Sequence, residues 1–235
     1  MKVAVLSYSG NVGKTTVAAH LLAPRIPVAK IHAVETINET ATEMGLDVEQ
    51  LRGARFTALY KELLGSSHAV VDVGASSAEE FIARMAKIDH AHAEIDCFVI
   101  PTVPGGKEQR DTVRTVKALS DVGVEPERIR LLFNRVRSDD VLEEFAPIFG
   151  YARQNGFVAK PEAAIEENEI FDLLASKKTS IAAVLADPTD YRKLLKSLGP
   201  DEKQQAAHAI DMHTLKGLAL GVNRQFDRAY AALFG

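Results

Sequence analysis

The stretch Val3-Ala4-Val5-Leu6-Ser7-Tyr8-Ser9-Gly10-Asn11-Val12-Gly13-Lys14-Thr15-Thr16 decides the fold. Four apolar residues of strand length run into a Gly-containing turn, and Lys-Thr-Thr then opens a helical run from Val17 to Ala23. Successive backbone N–H groups in such a turn, at the start of a helix, make a cradle for several negative charges. Lys14 supplies a mobile cation, and the Thr15 hydroxyl is placed to ligate a divalent ion. The full phosphate-loop pattern G-x-x-x-x-G-K-[ST] would begin with Gly at position 8, where this chain has Tyr8. The alternative is a strand-to-helix turn that binds nothing.

Working outward, apolar runs of strand length recur at Val28–Val34, Ala69–Val73, Cys97–Ile100 and Ile129–Phe133. Each is followed by a longer stretch of helical periodicity. That alternation predicts an α/β fold with a mostly parallel sheet and helices on both faces. Ligands of such sheets bind beyond the carboxyl ends of the strands, so the residues just past each strand matter most. Asp72 closes an apolar strand and precedes Gly74. An Asp there can support Mg²⁺ through water, and Gly74 lets a backbone N–H approach a terminal phosphate. The competing role for Asp72 is an N-cap on a helix starting near Ser77. Glu35 and Asn38 follow the second strand, as ligand contacts or as loop caps. Asn134 follows the fifth, where its amide offers a donor and an acceptor to a base edge or shapes a turn. Val48–Leu64 reads as one surface crossover helix. His68, His90 and His92 read as surface residues.

At 235 residues the chain can bury a core without disulfides or metals, and it is read as one domain, 1–235, with residues from about 186 a helical extension. A net charge of −4 gives no global attraction to nucleic acid, although the segment from Arg192 carries seven Lys/Arg against four Asp/Glu. Cys97 is the only cysteine, which excludes a disulfide framework and a Cys-based metal site. No apolar run reaches membrane-span length, and no signal-peptide pattern opens the chain, so a cytoplasmic location is expected. Ile210, Leu215, Leu218, Val222, Phe226, Tyr230 and Leu233 form one helical stripe, expected to pack on the sheet or on a second copy, with an in-plane membrane helix the lesser alternative.

With these pieces in view, residues 1–185 resemble the ParA/MinD group of P-loop ATPases, and most of all plasmid stability and conjugation proteins of the StbB or TraL type. The resemblance rests on Ser9-Gly10-Asn11-Val12-Gly13-Lys14-Thr15-Thr16, Val70-Val71-Asp72-Val73-Gly74, Val99-Ile100-Pro101-Thr102-Val103-Pro104 and Leu132-Phe133-Asn134-Arg135. It implies ATP with Mg²⁺ as ligands, Lys14 on the phosphates, Thr15 and Asp72 at the metal, and Asn134 at adenine. Lys160-Pro161-Glu162 looks like the loop that brackets the base. It also implies a nucleotide-dependent homodimer with a plasmid-encoded protein or DNA as partner.

The departures are informative. The family's loop begins Lys-Gly-Gly, and its first Lys reaches the partner's nucleotide; Ser9 stands there and carries no charge. The family's second strand ends on Asp-x-Asp, whose second Asp orients the attacking water. The matching register gives Glu35-Thr36-Ile37. Ile37 cannot position water, and Glu35 takes that role if the loop is shifted. The resemblance thus implies a nucleotide-dependent switch with weak ATPase activity. A nucleotide-gated adaptor without hydrolysis and a P-loop small-molecule kinase or synthetase are the alternatives.

Overall fold

Strands that carry apolar residues on both faces need cover on both sides, and the chain supplies it. The computed structural model describes residues 1–34, 48–51 and 56–235. β1 (Lys2–Val5), β2 (Lys30–Val34), β3 (Val48–Leu51), β4 (Ala69–Val73), β5 (Cys97–Thr102), β6 (Ile129–Val136) and β7 (Ala164–Glu166) form one seven-stranded sheet. Its order is β3-β2-β4-β1-β5-β6-β7, and every neighbouring pair is parallel. From β1 the chain goes to β2 on one side, whereas from β5 it goes to β6 on the other. The loops after these two adjacent strands therefore part, opening a crevice at the point where such sheets take their ligands.

Period-2 alternation sorts the side chains into two cores. On one face Ala4, Leu6, Val71, Phe98, Ile100, Leu131 and Phe133 pack against α2 (Phe56–Gly65), α3 (Ala75–Met85), α4 (Gly106–Asp121) and α6 (Ala146–Asn155), the short α5 (Val141–Glu144) leading into α6. On the other, Val3, Val5, Val70, Val99, Leu132 and Ile165 pack against the helix that follows β1 and against α7 (Ile170–Ser176), α8 (Ile181–Ala186) and α10 (Lys203–Phe234). α9 (Tyr191–Ser197) lies against α10. The same alternation puts Asp72 and Asn134 on the second face, because each is one residue beyond a neighbour that belongs to the first.

α1 (Lys14–Thr16) continues as a π-helix (Val17–Leu22), in which Ala23 N–H reaches Ala18 O five residues back. Val17, Ala18, Leu21 and Leu22 are buried with the strand residues of the second core, and His20 is buried with its ring 6.3 Å from that of Phe171 on α7. Arg25 then staples the end of this helix to α10. Its guanidinium donates to His20 O and Leu21 O, each at 3.1 Å, to Asn223 Oδ1 at 2.8 Å and to Asp227 Oδ1 at 2.6 Å, and lies over the Phe226 ring. The C-terminal stripe packs on its own chain: Leu215, Val222, Phe226 and Leu233 are buried, with Ala209, Ala219 and Ala229 completing the seam. Ile210 is 52% exposed and lies outside it.

Several expectations are corrected. Val48–Leu64 is not one helix: Val48–Leu51 forms the edge strand β3, paired with β2, and the helix runs Phe56–Gly65. A four-residue strand followed closely by a helix fits within one helical period pattern. The second strand begins at Lys30, since Val28 has a φ of 55° and faces solvent. Among the histidines, His90 is exposed, while His68 contacts the N-terminal amine and His92 is half-buried. Among the described residues no helix is long and apolar enough to cross a membrane. Glu35, Ile37 and Asn38 lie outside the described residues.

Candidate functional site: a phosphate cradle at the end of β1

The turn from Tyr8 to Gly13 leaves β1 at the crevice. Asn11, at φ 56°, and Gly13, at φ 86°, are both left-handed. This reversal of hand turns neighbouring N–H groups toward one side, the geometry of an anion nest. Gly13 is required twice over. A side chain there would carry the positive φ, and its Cβ would come within 3.0 Å of Asn134 Nδ2.

Lys14, only 8% exposed, donates from Nζ to Ser9 O at 2.8 Å, so its ammonium lies along the turn rather than in solvent. Thr15 Oγ1 donates to Asp72 Oδ2 at 2.7 Å. β1 and β4 are neighbours with Val5 opposite Asp72, and this register sets the strand-tip carboxylate under the first turn of the helix. The pair fits Mg²⁺. A hydroxyl that gives its one proton to a carboxylate keeps its lone pairs for a cation, and Asp72 adds a negative charge beside them. Among the described residues no three His, Cys, Asp or Glu side chains are grouped to hold a metal by themselves. An ion here would share its ligands with a bound phosphate, as Mg²⁺ commonly does. α3 starts at Ala75, so its N-cap position is Gly74 and not Asp72.

Asn134 reaches the loop from β6. Its Nδ2 donates to Val12 O at 2.9 Å, and the residue is 5% exposed. The next residue, Arg135, has a φ of 53° at a bulge where the β6–β7 register shifts. Bulges of this kind re-aim side chains near sites, and here the bulge follows the amide that braces the loop. A cleft of about 410 Å³ opens beside this brace, bounded by Gly13, Thr16, Asn134, Arg135 and Phe171 and by the acidic rim Glu166, Glu167, Glu169 and Asp172. Pro161 is elsewhere. It lines a neighbouring hollow of about 620 Å³ with Glu162, Arg137 and Arg228, and only Glu166 and Glu167 border both spaces. The Gly74 N–H donates to Val34 O at 2.9 Å rather than facing the cradle.

Ser9, Gly10, Asn11, Val12, Gly13, Lys14, Thr15 and Thr16 are thus brought together with Asp72 and Asn134. Sequence reasoning missed the contacts from α4. Ser9 Oγ donates to Asp111 Oδ2 at 2.8 Å, Tyr8 N–H donates to Thr115 Oγ1 at 3.2 Å, and Arg114 lies over the Tyr8 ring. The signal that could have found them is the i, i+3, i+4 spacing of Asp111, Arg114 and Thr115 on one helical face. Burial, then Glu79, push the Tyr8 phenol above its usual pKa, with Arg114 pulling the other way. His20 was also missed; burial lowers it to about 4, so it is neutral at physiological pH. Burial raises the Cys97 thiol to about 12, which keeps it out of thiolate chemistry.

No family model matches the chain, and no curated protein matches its sequence. Solved structures do match it in shape. An aspartate-to-alanine variant of Cyanothece McdA, in complex with ATP, is 16% identical, with 94% of this chain and 97% of that chain covered at a TM-score of 0.52. The cell division ATPase MinD of Pyrococcus furiosus is 16% identical over 91% and 99%, at 0.55. MinD of Pyrococcus horikoshii OT3, complexed with Mg-ADP, is 17% identical over 89% and 93%, at 0.51. The chain has the α/β fold of the ParA/MinD-type P-loop ATPases, with a C-terminal helix added to its second face.

Proposed function

We propose that this protein binds ATP with Mg²⁺ and acts as a ParA-like nucleotide-dependent switch, whose loaded state dimerises or docks a partner in plasmid stability, partition or conjugative transfer. The observation that carries the reading is the 2.7 Å bond between Thr15 and Asp72 beneath a left-handed loop that holds Lys14. Cation, hydroxyl and left-handed turn come from residues 11–15, and the Asp72 carboxylate meets them from 57 positions away, a convergence that a turn without a ligand does not require. The ATP in the McdA complex and the Mg-ADP in the horikoshii MinD complex, in the same fold, support it.

In this reading the loop amides and Lys14 bind the polyphosphate, and Thr15 and Asp72 hold the ion. When bound, Mg²⁺ neutralises charge on the phosphate oxygens. The cleft beside Asn134 takes the base. Membership among StbB- or TraL-type proteins, one domain over 1–235 and a cytoplasmic location go with it. Hydrolysis is slow. The loop's leading residue is an uncharged serine, and loss of an arginine-finger-type cation can cost about 10³ to 10⁵ in rate. A nucleotide-gated adaptor without hydrolysis is the second reading, favoured by the Ser9 hydroxyl being tied back to Asp111 of its own chain.

Calorimetric titration with Mg²⁺-ATP, run beside phosphate release, tests both. One ATP per chain is expected, with binding abolished by Lys14→Ala and turnover far below that of a lysine-bearing relative. Tight binding retained by Lys14→Ala would remove the cradle; brisk turnover would show that the catalytic charge has been misplaced. Stoichiometric binding with no phosphate release would select the adaptor.

A further inference from the structure

The leading turn of the cradle has little packing of its own. Gly10 and Asn11 are exposed, and a Cβ built on Gly10 meets nothing within 4 Å. What holds this turn is α4. Asp111, whose side chain is 13% exposed, accepts the Ser9 hydroxyl at 2.8 Å. Ser9 in turn accepts Lys14 Nζ on its carbonyl, also at 2.8 Å. One helical turn further, Thr115 Oγ1 accepts the Tyr8 N–H, while Arg114 covers the Tyr8 ring and contacts Asp111 at 3.3 Å. The residues involved lie about a hundred positions apart, so this is a tertiary brace and not a local turn.

We propose that Asp111 is a positioning residue for the phosphate loop, acting through Ser9 to hold the carbonyl that orients Lys14. The inference rests on residues 9–16 being a polyphosphate site and adds to it a clamp of stated parts. A loop already ordered in its binding shape loses less freedom when ligand arrives, and the difference appears as affinity. The bond is charge-assisted, because Asp111 is a carboxylate and the Ser9 hydroxyl belongs to a residue only 4% exposed. Asp111 is too far along the chain from Lys14 to be read as part of the motif, and its negative charge argues against direct contact with phosphate. Its contribution is geometric.

The test is the Kd of Mg²⁺-ATP for the full chain, measured for Ser9→Ala, Asp111→Ala, the double variant, Ser9→Thr and Asp111→Asn. Each alanine variant should weaken binding about tenfold, the worth of one charge-assisted hydrogen bond realised as order in the loop. The double variant should also lose about tenfold, well short of the product of the two single losses, because both changes break one bond. Ser9→Thr keeps the hydroxyl and Asp111→Asn keeps an acceptor oxygen, so each should recover most of the loss. A merely structural contribution of α4 would not give this pattern of rescue. Alanine variants that bind within about twofold of the parent, or losses that multiply, overturn the proposal. Lys14→Ala separates the two levels. If it binds ATP normally, the phosphate site itself is wrong; if it does not bind while Ser9→Ala and Asp111→Ala do, only the clamp is wrong. Should Asp111→Ala fail to fold, the Ser9→Ala and Ser9→Thr pair decides, since it alters a single hydroxyl.

Discussion

Replacing Gly13 with alanine tests the loop's shape without touching a charge. Gly13 sits at φ 86°, a conformation that costs an L-residue about 1–2 kcal/mol. The new Cβ would also fall within 3.0 Å of Asn134 Nδ2, and Asn134 is 5% exposed with little room to withdraw. If the amide moves, the 2.9 Å bond to Val12 O is lost, and a buried polar group left unmatched costs about 1–3 kcal/mol. Together these give about 3 kcal/mol. For a chain of this size that is about 6–12 °C in Tm, at about 2–4 °C per kcal/mol. Urea unfolding of the nucleotide-free protein is the assay, run on Gly13→Ala, Asn134→Ala and the pair. Because the clash and the bond share one amide, the pair should cost at least about 1 kcal/mol less than the sum of the singles. A Gly13→Ala loss under about 0.5 kcal/mol, or strict additivity, would refute the argument that Asn134 braces the loop at Gly13.

Two further outcomes follow from groups outside the cradle. His20 is 3% exposed and held at a pKa of about 4, against 6.5 when unfolded. Above pH 6.5 it is neutral in both states. As pH falls from 6.5 to about 4 the unfolded chain gains its proton first, so stability drops, by about 3 kcal/mol for this residue. His20→Leu should flatten that part of the urea stability curve against pH, and an unchanged slope would discount the burial. Arg25→Ala should lower Tm by about 4–10 °C, chiefly through the lost carbonyl contacts and the Phe226 stack, since Asp227 is exposed and its ion pair contributes little. Faster hydrogen exchange in α10 should accompany it. A shift under about 1 °C would mean that the helix docks without the staple.

Much of this arrangement is legible in the residues themselves. Val3–Leu6 followed by Gly13-Lys14-Thr15 names both a strand and a helix start, and apolar runs such as Cys97–Ile100 announce strands buried on two faces. Asp72 and Asn134 could be singled out because strand ends in a parallel sheet converge. The missed parts share a cause. Asp111 meets Ser9 across 102 positions, and His20 is buried in a π-helical turn beside Phe171 of α7; neither fact has a periodic trace. β3 disappeared into the helical spacing of Val48–Leu64 because four residues are too few to establish a period of two. Pro161 is expected in the loop that brackets the base, but which of two adjoining hollows it lines depends on packing alone.

The most direct test of the central claim is a crystal structure grown with Mg²⁺ and a non-hydrolysable ATP analogue. The account expects the polyphosphate on the amides between Gly10 and Thr16, the ion touching Thr15 Oγ1 with Asp72 behind it, and Lys14 on a phosphate oxygen. A nucleotide seated anywhere else, or an ion with no link to Thr15 and Asp72, would contradict it.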